Sequence, residues 1–243
     1  MRTVKVDATA STNSYLREFS RSMDLQEEIL LWTDHQFAGR GQRGATWESQ
    51  PFKNLTFSVF KRVRLFPVEK QFYITMAASL AIVELLKEFE IPRLKVKWPN
   101  DILAGNRKLC GILIESVVKN GKLDALIIGV GLNVNQTHFE RAPQATSLAL
   151  ETKKEFELAQ LIKKINPIFE KYVNRITRGD FEQIKVEYEA ELFKKDRPAL
   201  FSNPNGDRFN GMIKGVSEEG KLLLQHEDDA IRKYGLKELK MLY

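Results

Sequence analysis

Residues 94–118, LKVKWPNDILAGNRKLCGILIESVV, decide the fold. Apolar and charged residues alternate from Leu94 to Trp98, the pattern of a strand, and Pro99 stops it because proline cannot donate to a ladder. Gly105-Asn106 stands between two further apolar runs and predicts a hairpin turn. The runs are too short and too rich in Ile, Leu and Val for free-standing helices. Hairpin-connected strands in one stretch point to a largely antiparallel sheet.

The same pattern extends outward. Leu109–Val118 and Ala125–Val130 are expected strands with a turn at Asn120-Gly121. Val4-Lys5-Val6, Glu28–Thr33 and Leu55–Val63 are expected strands upstream. Helical patterns occupy the residues after Ser11-Thr12-Asn13-Ser14, a good N-cap, then Pro67 to about Phe89, Glu155 to Arg178 and Phe181 to Phe193. Composition shifts near Lys194-Lys195-Asp196-Arg197-Pro198, after which short strands and turns suggest a small β-barrel. The expectation is an α+β fold, a mixed sheet with helices packed on one face, over residues 1–194, and a small barrel over residues 195–243.

Composition narrows the function. The chain has 243 residues, 43% hydrophobic and 29% charged, as in an ordinary globular protein. Cys110 is the single cysteine, which excludes an internal disulfide and a multi-cysteine zinc site. No run reaches the ~18 apolar residues of a membrane span, and Met1–Asp7 has no signal-peptide core, so a cytoplasmic protein is expected. The net charge of +6 is dispersed, as at Lys163-Lys164, and is read as a solvated face rather than a nucleic-acid patch.

Four clusters carry candidate chemistry. Gly39-Arg40-Gly41-Gln42-Arg43-Gly44 matches G-x-G-x-x-G, but Ala45–Pro51 is a poor helix start, so the dinucleotide reading fails. What remains is a glycine-rich loop with two arginines, suited to an anion or simply a surface loop. Lys97-Trp98-Pro99-Asn100-Asp101 sits at a strand end, where functional groups and plain turns both occur. Lys108 opens an apolar strand and points either to a cleft or to water. Gly129-Val-Gly131-Leu-Asn133-Val-Asn135 allows close backbone approach and offers amide donors and acceptors.

Taken together these clusters resemble the class I biotin–protein ligases. The resemblance rests on Ser11-Thr12-Asn13, Gln36, Ala38-Gly39-Arg40-Gly41-x-Arg43-Gly44, Lys97–Asp101, Arg107-Lys108-Leu109-x-Gly111-Ile112-Leu113-x-Glu115 and Gly129-x-Gly131-x-Asn133-x-Asn135, in the family's order, from about residue 3 to the C-terminus. It implies a catalytic domain like that of class II aminoacyl-tRNA synthetases and an SH3-like barrel. It implies that biotin and ATP, with Mg²⁺, form biotinyl-5′-AMP and pyrophosphate, and that biotin then passes to a lysine of a biotin carboxyl carrier protein. Ser11, Thr12, Asn13, Gln36, Gly39, Arg40, Gly41, Gln42 and Lys108 would bind biotin. Arg43, Trp47, Lys97, Asn100 and Asn133 would serve the nucleotide. Lys108, Arg40 and Asp101 would act in catalysis, and no metal ligands are assigned. A homodimer through sheet edges is compatible with such a ligase.

Two positions depart from the family pattern: Gln42 and Ala45 stand where well-known members carry basic residues. Gln42 bonds hydrogen but supplies no charge, so weaker retention of the adenylate is expected. The catalytic sequence begins near Val4, leaving no residues before it for a DNA-binding module, so neither DNA binding nor repression is expected. The competing readings are a lipoate or octanoate ligase, a non-catalytic nucleotide- or RNA-binding protein, and a degenerate ligase that binds biotin without transferring it.

Overall fold

The computed structural model describes residues 1–23, 25–63, 66–119 and 122–243, without the side chains of Arg43, Lys119 and Lys122. The turn expected at Asn120-Gly121 lies outside the described residues.

Seven strands form one mixed sheet in the order β1-β2-β3-β7-β6-β5-β4. They are β1 (Arg2–Thr9), β2 (Ile29–Gln36), β3 (Asn54–Arg62), β4 (Leu94–Lys97), β5 (Asp101–Ala104), β6 (Arg107–Lys119) and β7 (Lys122–Asn133). Only β1 and β2 run parallel; the other neighbours are antiparallel. Gly105-Asn106 makes the expected two-residue turn, with Gly105 at φ 61°, where a side chain would be strained.

Both faces of the sheet are covered. Helices α2 (Phe72–Lys87), α3 (Leu148–Thr152), α4 (Leu158–Thr177) and α5 (Phe181–Ala190) share one core with Leu30, Phe57, Val59, Ile128 and Val130. Helix α1 (Thr12–Ser22) lies on the opposite face, where Leu16 packs with Leu31, Phe60 and Ile127. Strands buried on both sides lose the polar–apolar alternation of a half-exposed sheet, and β3 is buried from Asn54 to Lys61. The sequence reading differed in details. Pro67 precedes a short 3₁₀ turn over Val68–Lys70, and α2 starts only at Phe72. The five-residue α3, capped by Ser147, was not foreseen. It is too short for helical periodicity to stand out.

Residues Pro198–Leu242 form a second, five-stranded antiparallel sheet, β11-β10-β9-β8-β12. Its strands are β8 (Pro198–Ser202), β9 (Arg208–Val216), β10 (Leu222–Gln225), β11 (Ile231–Tyr234) and β12 (Lys240–Leu242). This is the small β unit expected after Lys195. It is fused to the first sheet's core: Phe201, Ile213, Val216, Leu222 and Leu224 belong to the same buried cluster as α2 and α4. Trp98 Nε1 donates to Gly220 O at 2.9 Å, and Glu189 Oε1 accepts from Val216 N at 3.0 Å.

Phe169 on α4 is fully buried and meets Phe57 edge-on at 5.7 Å between centroids. Phe169→Ala is expected to cost roughly 3–5 kcal/mol, the usual loss for a buried aromatic, read from the urea midpoint at unchanged m-value.

Candidate functional site

On the α1 face, three glycines replace side chains where β6 and β7 pair. Gly111 and Gly131 are direct partners, and Gly129 pairs with Leu113. Their missing side chains leave a cleft of about 280 Å³. A Cβ at Gly129 would collide with the Asn13 amide, and one at Gly131 with the Trp47 indole. The glycines set the depth at which Asn13 and Trp47 sit.

The N-terminus of α1 brings three polar residues to one end of the cleft. Gln36 Oε1 accepts from Thr12 N at 2.9 Å and from Thr12 Oγ1 at 3.2 Å. Ser58 Oγ lies 2.7 Å from Thr12 Oγ1 and 2.6 Å from Asn13 Oδ1. Asn13 Nδ2 donates to Glu115 Oε2 at 2.8 Å. Ser11 caps α1 through Ser14 N at 3.4 Å. Thr12, Asn13, Gln36 and Ser58 are all buried and neutral.

Lys108 arrives at the other end through a β-bulge. Ile102 pairs with Cys110, but Leu103 pairs with Lys108, so β6 carries one extra residue. Strict alternation would put Lys108 on the face of Cys110 and Ile112, inside the helix-side core. The bulge turns it into the cleft, where Nζ meets Asp101 Oδ1 at 2.7 Å and lies 5.5 Å from the Trp47 ring centroid. Adjacent Cys110 is fully buried, and burial pushes its thiol far above the usual range. It stays protonated and is no nucleophile.

The loop from Gly39 to Trp47 folds back on itself over this cleft. Gly41 N donates to Ala45 O at 2.7 Å and Trp47 N to Gly39 O at 2.9 Å, with a bridge between Arg40 and Thr46. No helix follows, in agreement with rejection of the dinucleotide motif. Trp47 lies against Gly111 and Gly131, and its Nε1 is buried without a partner.

Of the expected site residues, Ser11, Thr12, Asn13, Gln36, Arg40, Gly41, Gln42, Trp47, Lys97, Asn100, Asp101 and Lys108 line the cleft. Gly39 sits just behind it, with Gln36 Nε2 2.7 Å from where its Cβ would be. Arg40 Nη2 donates to Ser14 Oγ at 2.8 Å and lies 3.5 Å from Glu115 Oε1, tying the loop to α1 and β6. Lys97 places Nζ 4.8 Å from the Tyr243 ring centroid. Asn100 spends its amide on Ile112 O. Asn133 is buried beyond the cleft floor, donating to Thr146 O at 2.9 Å, and its Oδ1 has no partner. The side chain of Arg43 lies outside the described residues.

Ser58 and Glu115 received no role from the sequence. Ser58 is one of several polar residues in β3, with Asn54 and Thr56, and nothing local singles it out. Glu115 gathers Asn13, Arg17 and Arg40; its signal was its even spacing from Gly111 and Leu113 along the strand, which places it on the cleft face. Gly131→Ala is expected to unseat Trp47. Acrylamide quenching of Trp47 fluorescence, in a variant with Trp32 and Trp98 replaced by Phe, should rise at least twofold; unchanged quenching would show the contact to be dispensable.

The profile described as "Biotin/lipoate A/B protein ligase family" matches residues 6–133. The chain is 32% identical over 224 residues to the bifunctional ligase/repressor BirA of Bacillus subtilis, covering 90% of this chain and 68% of that protein. It is 29% identical to the biotin–[acetyl-CoA-carboxylase] ligase of Mycobacterium tuberculosis, covering 90% of this chain and 81% of that one. Among solved structures, biotin protein ligase from Aquifex aeolicus in complex with biotin and ATP superposes with a TM-score of 0.82 at 26% identity, covering 99% of this chain and 98% of that one. The chain belongs to the biotin/lipoate A/B protein ligase family.

Proposed function

We propose that the protein is a biotin–protein ligase, which forms biotinyl-5′-AMP from biotin and ATP and transfers biotin to a lysine of a biotin carboxyl carrier protein. The observation that carries this reading is the polarity of the cleft. One end is a buried, neutral cluster of Thr12, Asn13, Gln36 and Ser58. The other holds the cation Lys108 beside Trp47. Biotin has that polarity: an uncharged ureido ring that donates and accepts hydrogen bonds, and a carboxylate tail. Lipoate and octanoate offer an apolar head, which would shield this polar cluster from water while adding no hydrogen bond to it, so they are the poorer fit.

In this reading residues 1–194 carry the chemistry and residues 195–243 flank it. Asn13 and Gln36 bind the ureido ring. Lys108 neutralises the biotin carboxylate and the α-phosphate as they approach, where two anions would otherwise repel. The carboxylate oxygen then bonds to the α-phosphorus, and pyrophosphate leaves. Trp47, whose Nε1 is buried without a partner beside the cleft, is the group placed to flank the base. Asp101 is the one carboxylate among the described residues lining the cleft. No cluster of three candidate metal ligands occurs among the described residues, so Mg²⁺ would come bound to ATP phosphates and water, with Asp101 the nearest protein ligand. Its charge would ease the approach of the two anions.

In the second half-reaction the acceptor lysine's amine attacks the anhydride carbonyl and AMP leaves. Asp101 receives the amine's proton. The Gly39–Trp47 loop covers the anhydride and keeps water from it. No helix among the described residues is long and apolar enough to cross a membrane; a cytoplasmic site is part of the proposal.

Pyrophosphate exchange into ATP should depend on biotin and not on lipoate or octanoate, and Lys108→Ala should lower it about 10²–10³-fold, the usual loss of one charge-stabilising group. Exchange with lipoate alone would move the protein to the sister activity. Asp101→Asn should slow transfer more than exchange; equal losses would remove Asp101 from the second step. Gln42 lies where the catalytic cleft opens toward the second sheet. Gln42→Arg should raise the fraction of adenylate retained in a trap assay, and a lower fraction would contradict the charge argument.

A further inference from the structure

The largest cavity described, about 610 Å³, is not the catalytic cleft. It is a groove between the free end of the β4–β5 hairpin and the segment joining α5 to β8. Arg93, Lys95, Lys194, Lys195 and Arg197 line it, against a single acid, Asp196. Three of the six charges are already neutralised. Lys95 pairs with Glu191 at 3.0 Å, Lys195 with Glu189 at 3.8 Å, and Asp196 with Lys214. Arg93, Lys194 and Arg197 have no acidic partner among the described residues. Lys194 has only the Phe193 ring, 5.8 Å away. Clustered cations without counter-charges repel one another, and an anionic partner would relieve that repulsion.

We infer that this groove is a docking site for an acidic segment of the acceptor protein, an inference that rests on the ligase reading. Its position supports that occupant. Lys95 and Lys97 project from the same face of β4, because Val96 between them points into the core. Lys97 lines the catalytic cleft and Lys95 lines the groove, so the two adjoin along one strand, about 7 Å apart at two residues' spacing. A protein domain presenting a lysine to the cleft covers a surface patch of roughly 800 Å², and the groove falls under it. The chemistry of the walls fits a protein better than a small anion. The cations sit on separate elements, with Leu192, Phe193 and Pro198 between them, an apolar floor with a charged rim. Because Arg93, Lys194 and Asp196 hold left-handed backbone (φ 52°, 57° and 54°), the groove walls are sharp corners rather than extended strands.

Arg93→Glu with Arg197→Glu tests the inference, with Arg93→Gln and Arg197→Gln as the uncharged control. The readouts are biotin-dependent pyrophosphate exchange, which needs no acceptor, and transfer to the biotin-carrier domain of an acetyl-CoA carboxylase. The reversed pair should raise KM for the carrier about tenfold or more, the control less, with exchange unchanged. The wild-type KM should climb with salt, and the variant's should climb less. An unchanged KM overturns the inference. So does an equal loss of exchange, which would make the groove part of the nucleotide site. Absence of biotin-dependent exchange in the unmodified chain overturns the ligase reading itself, and the assigned partner with it.

Discussion

A sheet buried on both faces makes a cavity only by leaving side chains out, and the close approach of Trp47 and Asn13 to the backbone of Gly131 and Gly129 is the contact on which the site depends. Those glycines stand in the middle of the most extensively paired part of the sheet, where β7 is flanked by β3 and β6. Glycine there costs strand stability, because it adds backbone entropy to the unfolded chain and packs nothing. The helix-side core offsets the loss: Ile128, Val130 and Leu132 alternate with the glycines and are buried against α2 and α4. One strand therefore does two things by parity, packing a core on one face and flooring a cleft on the other.

The polar end of the cleft follows from the same burial. Thr12, Asn13, Gln36 and Ser58 are shielded from water, so each has to find a partner in the protein or in a ligand. They find several in one another, with the Glu115 carboxylate held by Asn13, Arg17 and Arg40. A network fixed by its own bonds presents donors and acceptors already oriented, which lowers the ordering cost of binding. Arg40 extends it to the loop. The loop is thus tied to the helix that carries the polar residues.

How much of this was legible in the sequence depends on the scale of the feature. Long runs such as Leu55–Val63 and the Gly105-Asn106 turn carried their own signal, and so did the short strands of the C-terminal β unit. The cluster at Lys97–Asp101 was recognisable, and the structure places Lys97 and Asp101 opposite each other on paired strands. The bulge that delivers Lys108 was not legible. It depends on β5 and β6 being out of step by one residue, a property of the pair that neither strand shows alone. Ser58 was invisible for a similar reason: one hydroxyl in a buried strand looks like tolerated polarity until Thr12 and Asn13 are laid against it. Asn133 was a clear amide in a clear motif, yet its burial beyond the floor follows from the Ala145–Thr146 segment packing on β6, which no local pattern foretells.

The second sheet completes the argument about rigidity. A flanking module tethered by a loose linker could not hold a catalytic rim in register, but here Phe201, Ile213 and Leu222 are buried in the first sheet's core. Trp98, one residue from the cleft lysine Lys97, donates to the backbone of Gly220, and Phe72 at the start of α2 packs under that same glycine. Any displacement of the second sheet would expose an indole N–H and the apolar surface around Phe201, each costing on the order of 1–3 kcal/mol. The rim formed by Lys97 and Trp98 is therefore held by both sheets through their shared core.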